Sequence, residues 1–119
     1  MRDRDVFALK RIIQYSNEIE GTINRLELTL QKFKSDYIAK NAIAMCVLQI
    51  GELAGKLTED FKIEYNEAPW RNITSVRNRA AHAYESFDLE ILWGLATIQI
   101  PELKTYCEKI LTKGGQNIT

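Results

Sequence analysis

Apolar positions recur at helical spacing along almost the whole chain, and no two-residue alternation is sustained anywhere. The pattern predicts a first helix from about Asp5 to Glu20, with Val6, Leu9, Ile12, Ile13 and Ile19 on one stripe and Gly21 as its stop. A shorter helix is expected from Ile23 to Lys32, capped by Thr22 and carrying Ile23, Leu26 and Leu30. A third is expected from Asp36 to Leu57, after Ser35 as cap. Its middle, Ala42 to Leu48, is apolar all round, so the helix should be covered on two sides. One cover is the bundle core. The other, in so short a chain, is either more of the same monomeric bundle or a second copy of the protein.

Thr58 is placed to cap a short turn through Phe61 and Tyr65. Pro69 suits the first turn of a helix reaching His82, and Asp88 the cap of the last one. Leu89, Leu92, Leu95, Ala96 and Ile98 mark that last helix, and Leu103, Tyr106, Cys107, Ile110 and Leu111 continue its face. Pro101 has no N–H for the carbonyl of Thr97, which predicts a kink or break. Gly114-Gly115 then ends the regular structure. The expectation is an all-α bundle of four to five helices over residues 1–113, with 114–119 as a flexible tail.

Composition narrows the function little. The 119 residues fit one domain, and 45% apolar with 27% charged residues is an ordinary globular balance. Sixteen basic residues meet sixteen acidic ones, which argues against nucleic-acid binding by bulk charge but leaves room for a local basic site. No segment reaches the roughly 18 to 20 apolar residues needed to span a membrane. The start, Met1-Arg2-Asp3-Arg4-Asp5, lacks the apolar stretch of a signal peptide, so a cytosolic location is expected. Cys46 and Cys107 are read as reduced, buried thiols, and no metal-ligand pair is visible. The Asn-Ile-Thr triplets at Asn72 and Asn117 match a glycosylation sequon and, without a secretion signal, are read as chance.

The helix that starts at Pro69 carries the candidate chemistry. Arg71, Ser75, Asn78, Arg79 and His82 fall in one broad stripe, opposite Ile73, Val76, Ala80 and Ala83. A run of donors ending in the only histidine suits a phosphate-bearing ligand. The plain alternative is a solvated helix face. Arg77 is different: it projects on the flank of the apolar side, where a guanidinium needs a partner. Glu52, a lone carboxylate in Gln49-Ile50-Gly51-Glu52-Leu53-Ala54, is the obvious one, and a purely structural salt bridge is the alternative role. Arg77 and His82 lie about 140° apart on a regular helix, so either the helix distorts or a second subunit completes the site.

These residues resemble a known family. Arg77-Asn78-Arg79-Ala80-Ala81-His82-Ala83-Tyr84 is similar to the HEPN signature in its HepT-like form, in which Arg is followed by a polar residue, three more, His, one residue and Tyr. Gln49 to Ala54, Pro69-Trp70-Arg71, Asp88 to Trp93 and Ile100-Pro101-Glu102-Leu103 resemble the family's other characteristic segments, so the likeness spans nearly the whole chain. The resemblance implies a helical dimer whose two motifs meet in a cleft. It implies a metal-independent endoribonuclease, without cofactor, acting as toxin beside a nucleotidyltransferase antitoxin of the MntA kind. By position it makes Arg77 and His82 catalytic and Asn78 supporting. Tyr84 matches the tyrosine such antitoxins adenylylate, a change that would oppose RNA by charge and bulk. Arg71 and Arg79 are expected to hold the RNA backbone, and Glu52 to pair with Arg77. Ala83 departs from the acidic or larger residue usual between His and Tyr, which affects the cleft wall more than the chemistry. The alternative function is a non-catalytic assembly partner of a nucleotidyltransferase.

Overall fold

A computed structural model describes residues 1–81 and 89–115, with side chains described through residue 77 in the first stretch. Among the described residues all regular structure is helical. The all-α expectation therefore holds, while several boundaries move.

Helix α1 runs from Asp3 to Arg25, past Gly21. A helical glycine costs only about 1 kcal/mol relative to alanine, too little to end a well-packed helix. Its side of the helix is open, with nothing within 4 Å of where a Cβ would sit. Thr22 does not cap a new helix; its hydroxyl donates back to the Glu18 carbonyl at 2.8 Å. The chain turns instead at Glu27, whose φ of 51° is left-handed. Helix α2 is shortened to Leu30–Ser35, and its cap is Thr29, which accepts from the Lys32 amide.

Helix α3, Tyr37–Gly55, is capped by Asp36 rather than by Ser35. The Asp36 carboxylate accepts from the amides of Ile38 and Ala39 at 3.0 and 3.1 Å. Ser35 instead spends its hydroxyl on the carbonyls of Gln31 and Lys32. Ala39, Ile43, Val47, Ile50 and Ala54 are fully buried at steps of three and four residues and form the spine of the core. The opposite side stays open: Tyr37, Ile38 and Met45 are 70%, 63% and 55% exposed. Within one chain the bundle thus covers one of the two sides expected to be covered, and the side left to more bundle or to a second copy is open. By length and composition α3 is also apolar enough to cross a membrane, which counting uninterrupted runs overlooked; half of its most apolar stretch is buried inside the bundle.

Thr58 caps α4, Glu59–Glu64, as expected. The buried Asp5 carboxylate in turn accepts from both the Thr58 amide (2.8 Å) and its hydroxyl (2.7 Å), tying the start of α1 to the start of α4. Helix α5 spans Trp70–Ala81. Trp70 is its anchor, packed between Phe61 and Tyr106, with its indole N–H on the Tyr65 carbonyl at 2.7 Å.

The last helical run is α6, Leu89–Gly94, then a π-helical stretch, Leu95–Gln99, then α7, Ile100–Lys113. Pro101 does not break it. The ladder widens just ahead of the proline, with the Ile100 amide reaching five residues back to Leu95, so the missing N–H is absorbed in one broad turn. Gly114 follows as the C-terminal cap of α7. Residues 116–119, most of the expected tail, lie outside the described residues. In the assembled bundle α3 is central, packed against α1 on one flank and α5 on the other, and α7 closes over α1.

Candidate functional site

The site is set by how closely α5 approaches α3. A Cβ added to Gly51 would lie 3.0 Å from the backbone nitrogen of Arg77 and 3.2 Å from both the Arg77 Cβ and a Val76 methyl. At Gly55 the Thr74 methyl would stand 3.4 Å away. The two glycines, one helical turn apart, form a flat track on which the α5 backbone rests at Arg77. Val76 and Trp70, 4% and 5% exposed, hold α5 down at and ahead of that contact.

Glu52 follows Gly51 directly, so the same close approach brings its carboxylate beside Arg77. Arg77 Nε lies 2.8 Å from Glu52 Oε1. The pairing expected from the sequence is therefore present, but its environment is not the expected one. The Arg77 side chain is 59% exposed and that of Glu52 is 37% exposed. Burial of a charge is not what calls for a partner here. The guanidinium stands at the surface with one side held, and a phosphate oxygen can still reach it.

The other predicted residues fall as follows. Arg71 and Ser75 are exposed on α5, and the Ser75 hydroxyl donates to the Asn72 carbonyl at 2.6 Å. Ile73 is half-buried and Val76 buried, so among the described residues up to Arg77 the polar and apolar positions divide as the periodicity predicts. Arg71 is about 120° around the helix from Arg77, and among the described residues no hydrogen bond or ion pair joins it to the Arg77–Glu52 pair. Asn78 and Arg79 belong to α5, with side chains outside the description. His82 and Tyr84 lie outside the described residues, as does Asp88. Cys46 and Cys107 are free and buried. Burial, with Glu18 adding to it, pushes the Cys46 thiol up to about 11; burial, with Glu108, pushes Cys107 up to about 12. Neither thiol is a nucleophile at neutral pH.

Sequence reasoning passed over Gly51 and Gly55 as contact residues. The available signal was a glycine kept inside an otherwise apolar helix despite its cost in propensity.

The family described as ribonuclease HepT-like matches residues 8–110. A protein of Methanocaldococcus jannaschii named as an RNase is 30% identical over 112 residues, covering 93% of this chain and 91% of its own. A protein of Thermococcus cleftensis named as a ribonuclease HepT is 32% identical over 84 residues, covering 71% of this chain and 76% of its own. A third, from Caldanaerobacter subterraneus subsp. tengcongensis and also named as an RNase, is 28% identical over 106 residues, covering 88% and 92%. No solved structure matches. With the matched segment running from the first turns of α1 to the last turn of α7, the chain belongs to the ribonuclease HepT-like family and is an enzyme of the ribonuclease class.

Proposed function

We propose that this ribonuclease cuts RNA internally and without a metal ion, in a cleft shared by two copies of the chain, and that it is the toxin of a pair whose antitoxin is a nucleotidyltransferase. The observation that carries the reading is the Arg77 guanidinium, fixed at the α3–α5 contact yet open to a ligand.

The chemistry is attack of a ribose 2′-oxygen on the adjacent phosphorus. The P–O bond to the next nucleotide breaks, leaving a cyclic phosphate and a free 5′-hydroxyl. One group must take the 2′ proton and another must give a proton to the departing 5′-oxygen. His82 takes one of these roles, and the partner copy's imidazole supplies the other. Arg77 neutralises the charge that builds on the phosphoryl oxygens. Asn78 orients the imidazole or the phosphate, and Arg71 and Arg79 hold the flanking backbone. Adenylylation of Tyr84 by the antitoxin adds negative charge at the cleft and excludes RNA.

The outer side of α3 supports the shared cleft. Ile38 and Met45 are exposed, and Glu52 follows them at the same seven-residue step, so one line along the helix runs from apolar surface to the Arg77 pair. Two copies joined along this line bury the apolar residues and bring their arginines together. We place the protein in the cytosol, where RNA and antitoxin are both available.

The test compares purified wild type with His82→Ala on RNA in the presence of chelator. The expected loss is about 10²- to 10⁴-fold in rate. Equal cleavage by both discards the assignment of His82, and a wild type silenced by chelator discards metal independence.

A further inference from the structure

We infer that Glu52 is a positioning residue for cleavage: it acts through Arg77, fixing the direction of the guanidinium on the open side of the α3–α5 contact. This rests on the nuclease reading above and adds to it a residue with no direct part in the chemistry.

Arg77 is a long side chain, largely in water, on a helix surface. Left alone it samples many rotamers, and a cation that wanders over several ångströms stabilises a developing phosphate charge poorly. Two features remove that freedom. The Gly51 track brings the Arg77 backbone against α3, so the side chain starts from a fixed point. The Glu52 carboxylate, 2.8 Å from Nε, then holds the guanidinium near its stem. The planar fork behind Nε is thereby aimed, because its atoms share one plane. The pair is too exposed to contribute much to folding, since surface ion pairs give little. A structural role alone gives poor account of a glycine and a carboxylate in succession, both directed at one exposed arginine.

The carboxylate also carries a cost that distinguishes positioning from binding. A negative charge beside the phosphate site repels RNA. Replacing Glu52 by glutamine removes the repulsion and the grip together. Weaker grip lowers kcat, and weaker repulsion leaves KM unchanged or lowers it. Loss of folded protein, by contrast, lowers apparent kcat without lowering KM.

The experiment measures RNA cleavage by wild type, Glu52→Gln, Glu52→Asp, Arg77→Ala and the double variant Glu52→Gln/Arg77→Ala, each with its melting midpoint. The expected result for Glu52→Gln is a kcat lower by about 10- to 100-fold, KM equal or lower, and a midpoint within about 4 °C of wild type. Glu52→Asp, one methylene shorter, recovers part of the loss. The double variant is no slower than Arg77→Ala alone. The Nε–H resonance of Arg77, read by NMR on the same proteins, is ordered in wild type and averaged in Glu52→Gln. Wild-type kcat in Glu52→Gln, a loss that only tracks the folded fraction, or a further loss in the double variant overturns the role while leaving the nuclease reading intact. A wild type that cleaves no RNA overturns the nuclease reading first, and this role with it.

Discussion

Two carboxylates on neighbouring elements make the same kind of short contact and do opposite things. Asp5 is 1% exposed and gives both oxygens to Thr58, one to its amide and one to its hydroxyl. Glu52 is 37% exposed and meets a single guanidinium that is itself 59% exposed. The first ties a side chain of α1 to the cap residue of α4, closes the corner between them, and leaves neither oxygen without a partner. The second leaves most of its cation in water. Satisfied, buried contacts hold a fold together, whereas an exposed ion pair at a helix crossing contributes little to folding and leaves its cation within reach of solvent.

That contrast breaks most sharply at Arg77. Arg77→Ala is expected to lower cleavage by about 10²- to 10³-fold, with little change in melting midpoint, as befits loss of a group that stabilises transition-state charge. A variant that melts early but retains its turnover would make the pair structural, like Asp5. The converse change is Asp5→Ala. It strands the Thr58 amide and hydroxyl without their acceptor and should destabilise by about 1–3 kcal/mol in urea or heat, while activity per folded molecule stays the same. A selective loss of turnover would instead connect this corner to the site.

Gly51→Ala probes the ground between the two. Overpacking against the Arg77 backbone costs about 1–3 kcal/mol, offset by up to about 1 kcal/mol of helix propensity. The net effect should be a modest loss of stability together with a larger fall in kcat, since α5 must lift at Arg77. A neutral result in both would show that the close approach is unimportant.

The smallest expected effect concerns the thiols, where burial is the main cause and a nearby carboxylate adds to it. Their folded values, about 11 for Cys46 and about 12 for Cys107, lie above the ordinary thiol value of 9.0. A raised folded value means the native state holds the proton more tightly, so the associated stability is fully present below pH 9 and is lost as pH rises from 9 toward 12. At neutral pH there should be no effect, and both native thiols should alkylate far more slowly than in urea. Fast alkylation of the native protein near pH 8 would contradict the burial.

The helices that were legible in advance were those with long, strong periodicity. The α3 core stripe and the amphipathic division of α5 follow from residue spacing, because the backbone repeat fixes which positions share a face. Ends were less legible. Gly21, Ser35 and Pro101 each carry a local signal that the structure overrides, since a continuous apolar face, a better cap one residue on, or a single π turn costs less than stopping. At the site, the residue types and the Arg77–Glu52 pairing were readable from chemistry. The exposure of the pair was not, because helical phase gives a direction around an axis and says nothing of how far the neighbouring helix stands off.

By itself, then, the chain determined its helical class, the apolar stripe that becomes the core, and the presence of one arginine and one carboxylate suited to each other. Only the packed molecule decided that α5 lies close enough on α3 for them to meet, and that they meet in water. The reason is physical: hydrophobic period is a local property of the backbone, while interhelical distance depends on which side chains are missing from a contact, and here the missing ones are those of Gly51 and Gly55.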